Sequence, residues 1–251
     1  MNPDFRSRLL AGDTLIGTLC ALPSSEIVEL LNHVGFDWLF LDAEHGAYGP
    51  ETIPALLQAA GSCPALIRVP SCDEGWIKKV LDAGADGIIV PQIHTPEQAK
   101  KAIEISKYPP LGKRGVGVGR AHDYGRTFED YLSNANAKTT IVLQAESEEA
   151  VDNIDEIAQT EGCDAILIGP YDLSTSLGHT GELDHPVVKN AISKIHDSCI
   201  KHDKRLGIFG VVAENLIPFM HQDFTLITVG VDTLFVNQAA EQALHTLRGA
   251  K

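Results

Sequence analysis

Apolar runs of five to eight residues alternate with amphipathic stretches along this chain, and few folds accept that pattern. The runs are Leu15–Leu22, Trp38–Asp42, Ala65–Val69, Gly87–Pro91, Thr140–Glu146, Ala165–Pro170, Arg205–Gly210 and Leu226–Gly230. Their length reads as strand, and the near absence of polar alternation reads as strand covered on both faces. Helical periodicity begins near Ser25, Pro50, Asp73, Thr95, Ser147, Pro186 and Ala213, with a last helix from about Thr233 to Leu247. Ser24, Asp73, Thr95-Pro96 and Asp184-His185-Pro186 suit helix starts, because short polar side chains cap free amides there and proline has no amide to lose. Gly35, Gly61 and Gly84 fall where helices should stop. Eight strand–helix units in 251 residues predict one closed (β/α)8 barrel of parallel strands, a single domain over residues 1–251. An open doubly wound sheet is the alternative.

Charge and composition exclude several roles. Twenty basic against 34 acidic residues give a net charge of −14, which argues against nucleic acid and against an anionic membrane as partner. The opening residues lack an apolar signal core, and no run approaches the roughly 20 apolar residues that span a bilayer. Five scattered cysteines without a CxxC indicate neither a disulfide framework nor a zinc cage, so a reduced cytoplasm is the expected setting. The longest irregular stretch, Tyr108–Lys138, carries a glycine-rich segment, Gly112–Arg120, that does not sit directly between a strand and a helix as a nucleotide fingerprint would. It reads instead as a mobile loop over the barrel mouth.

In such a barrel, function collects at the carboxyl ends of the strands. There the second run ends in Leu41-Asp42-Ala43-Glu44-His45-Gly46, the third carries Arg68, the fifth ends in Gln144-Ala145-Glu146, and the sixth runs into Gly169-Pro170-Tyr171-Asp172. Any one of these has a plain structural reading; a strand-end aspartate is usually a helix cap. Together they place an acid (Asp42), an imidazole, a guanidinium, an amide and two metal-type carboxylates around one mouth. Glu146 and Asp172 can share a hard dication that keeps open positions for water and substrate. Histidine is the residue type suited to proton transfer near neutrality, which singles out His45. Arg68, flanked by apolar residues, is either a structural ion pair or an anchor for a developing oxyanion. None of the twelve lysines lies in an apolar strand where its pKa would be depressed, which disfavours Schiff-base chemistry.

The motifs LDAEHG, IRVP, LDAGADGIIVP, the RGVG loop, LQAE and IGPYDLSTSLG, in this order, resemble the HpcH/HpaI aldolase family, in its short 2-oxo acid branch, over essentially the whole chain. The resemblance implies a class II pyruvate aldolase that cleaves a 4-hydroxy-2-oxo acid to pyruvate and an aldehyde through a metal-stabilised enolate. It implies Mg2+, Mn2+ or Co2+ on Glu146 and Asp172, and pyruvate held by Gln144 and the backbone around Gly169 and Tyr171. It further implies His45 as the acid–base group, Asp82 as the partner raising its basicity, and Arg68 as the enolate stabiliser. Tyr171 and Phe209 are bulkier than the family's usual residues and would narrow the aldehyde half of the site. Exchange of the terminal helix within a homohexamer is implied as well. Two alternatives stand beside this reading: an acyl-CoA lyase of the citryl- or malyl-CoA type, and a non-catalytic barrel that binds 2-oxo acid or metal.

Overall fold

The computed structural model describes residues 4–249. Eight parallel strands close in sequential order into a barrel, each hydrogen-bonded to the next and the last to the first. In chain order the elements are α1 (Phe5–Ala11), β1 (Leu15–Cys20), α2 (Ser25–Val34), β2 (Trp38–Asp42), α3 (Ile53–Ala59), β3 (Ala65–Arg68), α4 (Glu74–Asp82), β4 (Gly87–Val90) and α5 (Pro96–Ser106). They continue as α6 (Phe128–Lys138), β5 (Thr140–Ala145), α7 (Glu148–Asp152), α8 (Ile154–Gln159), β6 (Ala165–Ile168), α9 (Pro170–Ser176) and α10 (Pro186–Lys201). The chain closes with β7 (Arg205–Gly210), α11 (Ile217–Met220), β8 (Phe224–Val231) and α12 (Asp232–Gly249). The open sheet is thereby excluded. No helix among the described residues is long and apolar enough to cross a membrane.

Strand periodicity of two divides the core into two shells. Leu39, Leu41, Ile67, Ile141, Leu143, Ile166 and Ile168 face the helices. Trp38, Phe40, Leu66, Val142, Ala165 and Leu167 fill the barrel interior. Trp38 needs a glycine opposite it, since a Cβ on Gly17 would stand 2.5 Å from the indole nitrogen. One step of two further along each inward row come Asp42 after Phe40, Arg68 after Leu66, Gln144 after Val142 and Gly169 after Leu167. The top layer of the lumen is therefore polar by register alone.

One element lies elsewhere than the sequence suggested. The Tyr108–Lys138 segment leaves the carboxyl end of α5, which points to the amino ends of the strands, and contains a 3-10 turn (Arg120–Gly125) and α6. It packs beneath the barrel: Arg120 donates to the Ala83 carbonyl, and Lys107 Nζ donates to the carbonyls of Asn136 and Thr139. It is no lid over the mouth. Lys107 is also an exception among the lysines, because burial brings its pKa down to about 8. It sits at the end of the barrel opposite the mouth, where Thr139 precedes β5. At the carboxyl end α12 leaves its own barrel, and Phe235, Val236, Leu244 and Leu247 are exposed along it.

Candidate active site

Asp42 organises the mouth. Its carboxylate takes both Arg68 Nε at 2.8 Å and Nη2 at 2.7 Å, a paired geometry that fixes the guanidinium plane. The same carboxylate accepts the backbone amides of Glu44 and His45 at 3.1 and 3.3 Å and so shapes the loop after β2. Arg68 is buried, lies 5.1 Å from the Phe40 ring centroid, contacts Glu44 Oε2 at 3.2 Å and donates to Gln144 Oε1 at 3.5 Å. Burial opposes its charge, but the Asp42 hydrogen bond and the charges of Asp42, Glu44 and Glu146 outweigh that and raise its pKa.

Carboxylates crowd the other side. Glu146 is buried, accepts the Gln92 amide at 2.9 Å, and is hydrogen-bonded by the Gln144 side-chain amide. Gln92 holds that amide in place with a positive φ of 56°. Desolvation, then the charges of Glu44 and Asp172, push the Glu146 pKa up to about 7, against the Gln92 amide and Arg68. Glu44 is raised too, by desolvation first and then by Asp42 and Asp172, with Arg68 opposing. Asp172 is exposed in the first turn of α9, close enough for its charge to be felt by both. Gly169 makes room for this group: a Cβ there would lie 2.7 Å from Glu146 Oε2 and 2.9 Å from Gln144 Nε2.

The predicted residues thus fall into three sets. Asp42, Arg68, Gln144, Glu146, Gly169 and Asp172 share one end of the barrel. His45 joins them at the rim, its side chain 67% exposed and its Nε2 3.9 Å from Glu44 Oε2. Phe209 packs against the interior shell, while Tyr171 is 40% exposed. Asp82 does not join them. It ends α4 at the opposite face, near Asp86, whose amide bonds the Ala65 carbonyl at the start of β3. Its carboxylate pairs at 2.6 Å with Arg114, whose side chain is only 1% exposed. Pairing of Asp82 with His45 within one chain is therefore excluded by the length of the barrel. Glu44 is the site residue that the sequence reading passed over; its signal was a second acid two residues past the strand-end Asp42, on the same strand-to-helix loop.

Fold and site together define a (β/α)8 enzyme whose mouth gathers oxygen donors around a fixed guanidinium. The HpcH/HpaI aldolase/citrate lyase family matches residues 16–239. A 5-keto-4-deoxy-D-glucarate aldolase of Klebsiella pneumoniae is 40% identical over 242 residues, covering 96% of this chain and 94% of that one. A solved HpcH/HpaI aldolase/citrate lyase family protein from Burkholderia cenocepacia superposes with a TM-score of 0.93 at 33% identity, covering 97% and 98% of the two chains. The citrate synthase SbnG superposes with a TM-score of 0.87 at 28% identity over 99% of each chain. The chain belongs to the HpcH/HpaI aldolase/citrate lyase family. It is a carbon–carbon lyase, an aldolase of the divalent-metal-dependent class.

Proposed function

We propose that this barrel reversibly cleaves a 4-hydroxy-2-oxo acid to pyruvate and an aldehyde, with Glu146 and Asp172 holding Mg2+, Mn2+ or Co2+. The observation that carries the reading is the crowding of Glu146, Asp172 and Glu44 at one end of the lumen, with Arg68 beside them. The donor set fits a hard dication: it is all oxygen, and the desolvation and carboxylate repulsion that lift Glu146 are what such an ion offsets. When bound, the ion supplies Lewis acidity to the carboxylate and keto oxygens of the oxo acid.

The chain's own groups do the rest. Arg68, held in plane by Asp42, presents positive charge to the keto oxygen as the C3–C4 bond breaks, without reorganising. Gln144 and the backbone around Gly169 and Tyr171 hold the pyruvate half. His45, open at the rim, takes the proton from the C4 hydroxyl in cleavage and delivers it to C3 to complete pyruvate, and both transfers reverse in condensation. Phe209 and Tyr171 restrict the aldehyde half from inside the lumen and from the rim. The Klebsiella relative makes 5-keto-4-deoxy-D-glucarate the first substrate to try. The exposed α12 supports assembly into a homohexamer by exchange of that helix, and Asp82 can support a His45 only across such a subunit boundary. Five free thiols, four of them buried, fit a reducing compartment such as the cytoplasm.

The test is pyruvate release from 5-keto-4-deoxy-D-glucarate, and condensation of pyruvate with a panel of aldehydes, with each ion added in turn. Turnover should require the ion and stop on chelation. Turnover that survives exhaustive chelation, or a pyruvyl-lysine adduct trapped by borohydride, would overturn the reading.

A further inference from the structure

We infer that the connection between α9 and α10 forms a second metal site, built by His179, Glu182 and His185 and suited to a borderline ion such as Zn2+. One donor atom from each of the three lies within 4.8 Å of the others. His179 Nδ1 stands 3.8 Å from Glu182 Oε2, and the two imidazole rings lie face to face with centroids 3.5 Å apart. A tetrahedral ion with bonds of about 2.0 Å sets its ligands roughly 3.3 Å apart, so the group is within a side-chain adjustment of closing.

The backbone holds these residues in register. Glu182 N–H donates to the His179 carbonyl and His185 N–H to the Glu182 carbonyl, both at 2.9 Å, so two consecutive turns bring positions i, i+3 and i+6 together. The segment is tied down at its root, where His179 N–H donates to the Ser174 carbonyl at 2.7 Å and Gly181 N–H to the Ser174 hydroxyl at 2.9 Å. Glu182 is 64% exposed at its side chain and free to swing inward.

Two adjustments accompany binding. The stacked ring planes must splay so that their lone pairs converge. His185 Nδ1 accepts the Val187 amide at 3.3 Å, a long bond capping α10 that ligation by this ring releases. Two imidazoles and one carboxylate form the set that selects Zn2+, Ni2+ or Cu2+ over Mg2+, in contrast to the all-oxygen mouth. The site joins the carboxyl end of α9, whose first turn carries Asp172, to the amino end of α10. An ion there staples the segment that presents Asp172.

The test uses the full chain carrying Glu146→Gln and Asp172→Asn, which removes the carboxylate pair at the mouth and makes the outcome independent of the aldolase reading. Equilibrium dialysis against Zn2+ at a pH above the imidazole pKa of about 6.5 should leave one equivalent bound, with X-ray absorption showing two imidazole nitrogens. Adding His179→Ala or the near-isosteric Glu182→Gln should abolish or weaken that binding, with circular dichroism confirming the fold. A chain that retains no Zn2+, or one whose Zn2+ is unaffected by both further substitutions, overturns the inference.

Discussion

Arg68 holds its charge inside the barrel because Asp42 grips it through two nitrogens, and this pairing makes the two residues one device. Arg68→Lys keeps the charge but loses the fork, and is expected to lower kcat by about a hundredfold or more with a smaller change in stability. Arg68→Ala also strands Asp42, and thermal denaturation should show a loss of about 3–5 kcal/mol. Equal stability of the wild type and Arg68→Ala would contradict the buried pairing. Glu146 behaves in the opposite sense. Its carboxyl, raised from 4.5 to about 7, keeps its proton in the native metal-free chain over a range where the unfolded chain has lost it. The native state then binds more protons, so metal-free stability falls as pH rises through that window, on the order of 3 kcal/mol in all. Denaturant unfolding at about pH 5 and pH 8 should show this slope, and Glu146→Gln should flatten it. Metal affinity runs the other way and weakens as pH falls through about 7, because the proton competes for the same oxygen.

Element by element, the strands were legible because each is a closed apolar run whose inward row continues, at a spacing of two, into Asp42, Arg68, Gln144 and Gly169. Register therefore announced the mouth. The short helix α9 was not legible: the sixth apolar run reads as strand through Pro170, yet proline is well placed in the first turn of a helix. The α6 segment was hidden by its polar face and by the glycines before it. Its position beneath the barrel follows from the direction of α5, and the same reasoning places Asp82 away from His45. Lys107 escaped notice because the carbonyls that accept its hydrogen bonds, those of Asn136 and Thr139, lie far along the chain. Glycine at 169 is a requirement of the site more than of the fold. Gly169→Ala should leave secondary structure intact by circular dichroism while weakening Mn2+ binding about tenfold or more, because a Cβ there displaces Glu146 or Gln144. Unchanged affinity would mean that Glu146 yields freely.

As a whole molecule, the chain leaves α12 without a barrel to cover, and an apolar stripe of that length is expected to find a second copy. Leu244→Glu with Leu247→Glu should shift the sedimentation of the full chain to smaller species, and an unchanged mass would remove α12 from the interface. With a net charge of −14, attraction of an anionic oxo acid must come from local positive charge, and in the proposed reading Arg68 and the bound ion supply it. The ion proposed at Glu146 and Asp172 is the central element, and Mn2+ titration followed by electron paramagnetic resonance addresses it most directly. The wild-type chain should sequester one Mn2+ and Asp172→Asn and Glu146→Gln essentially none. Binding that is indistinguishable among the three chains would show that the two carboxylates hold no ion.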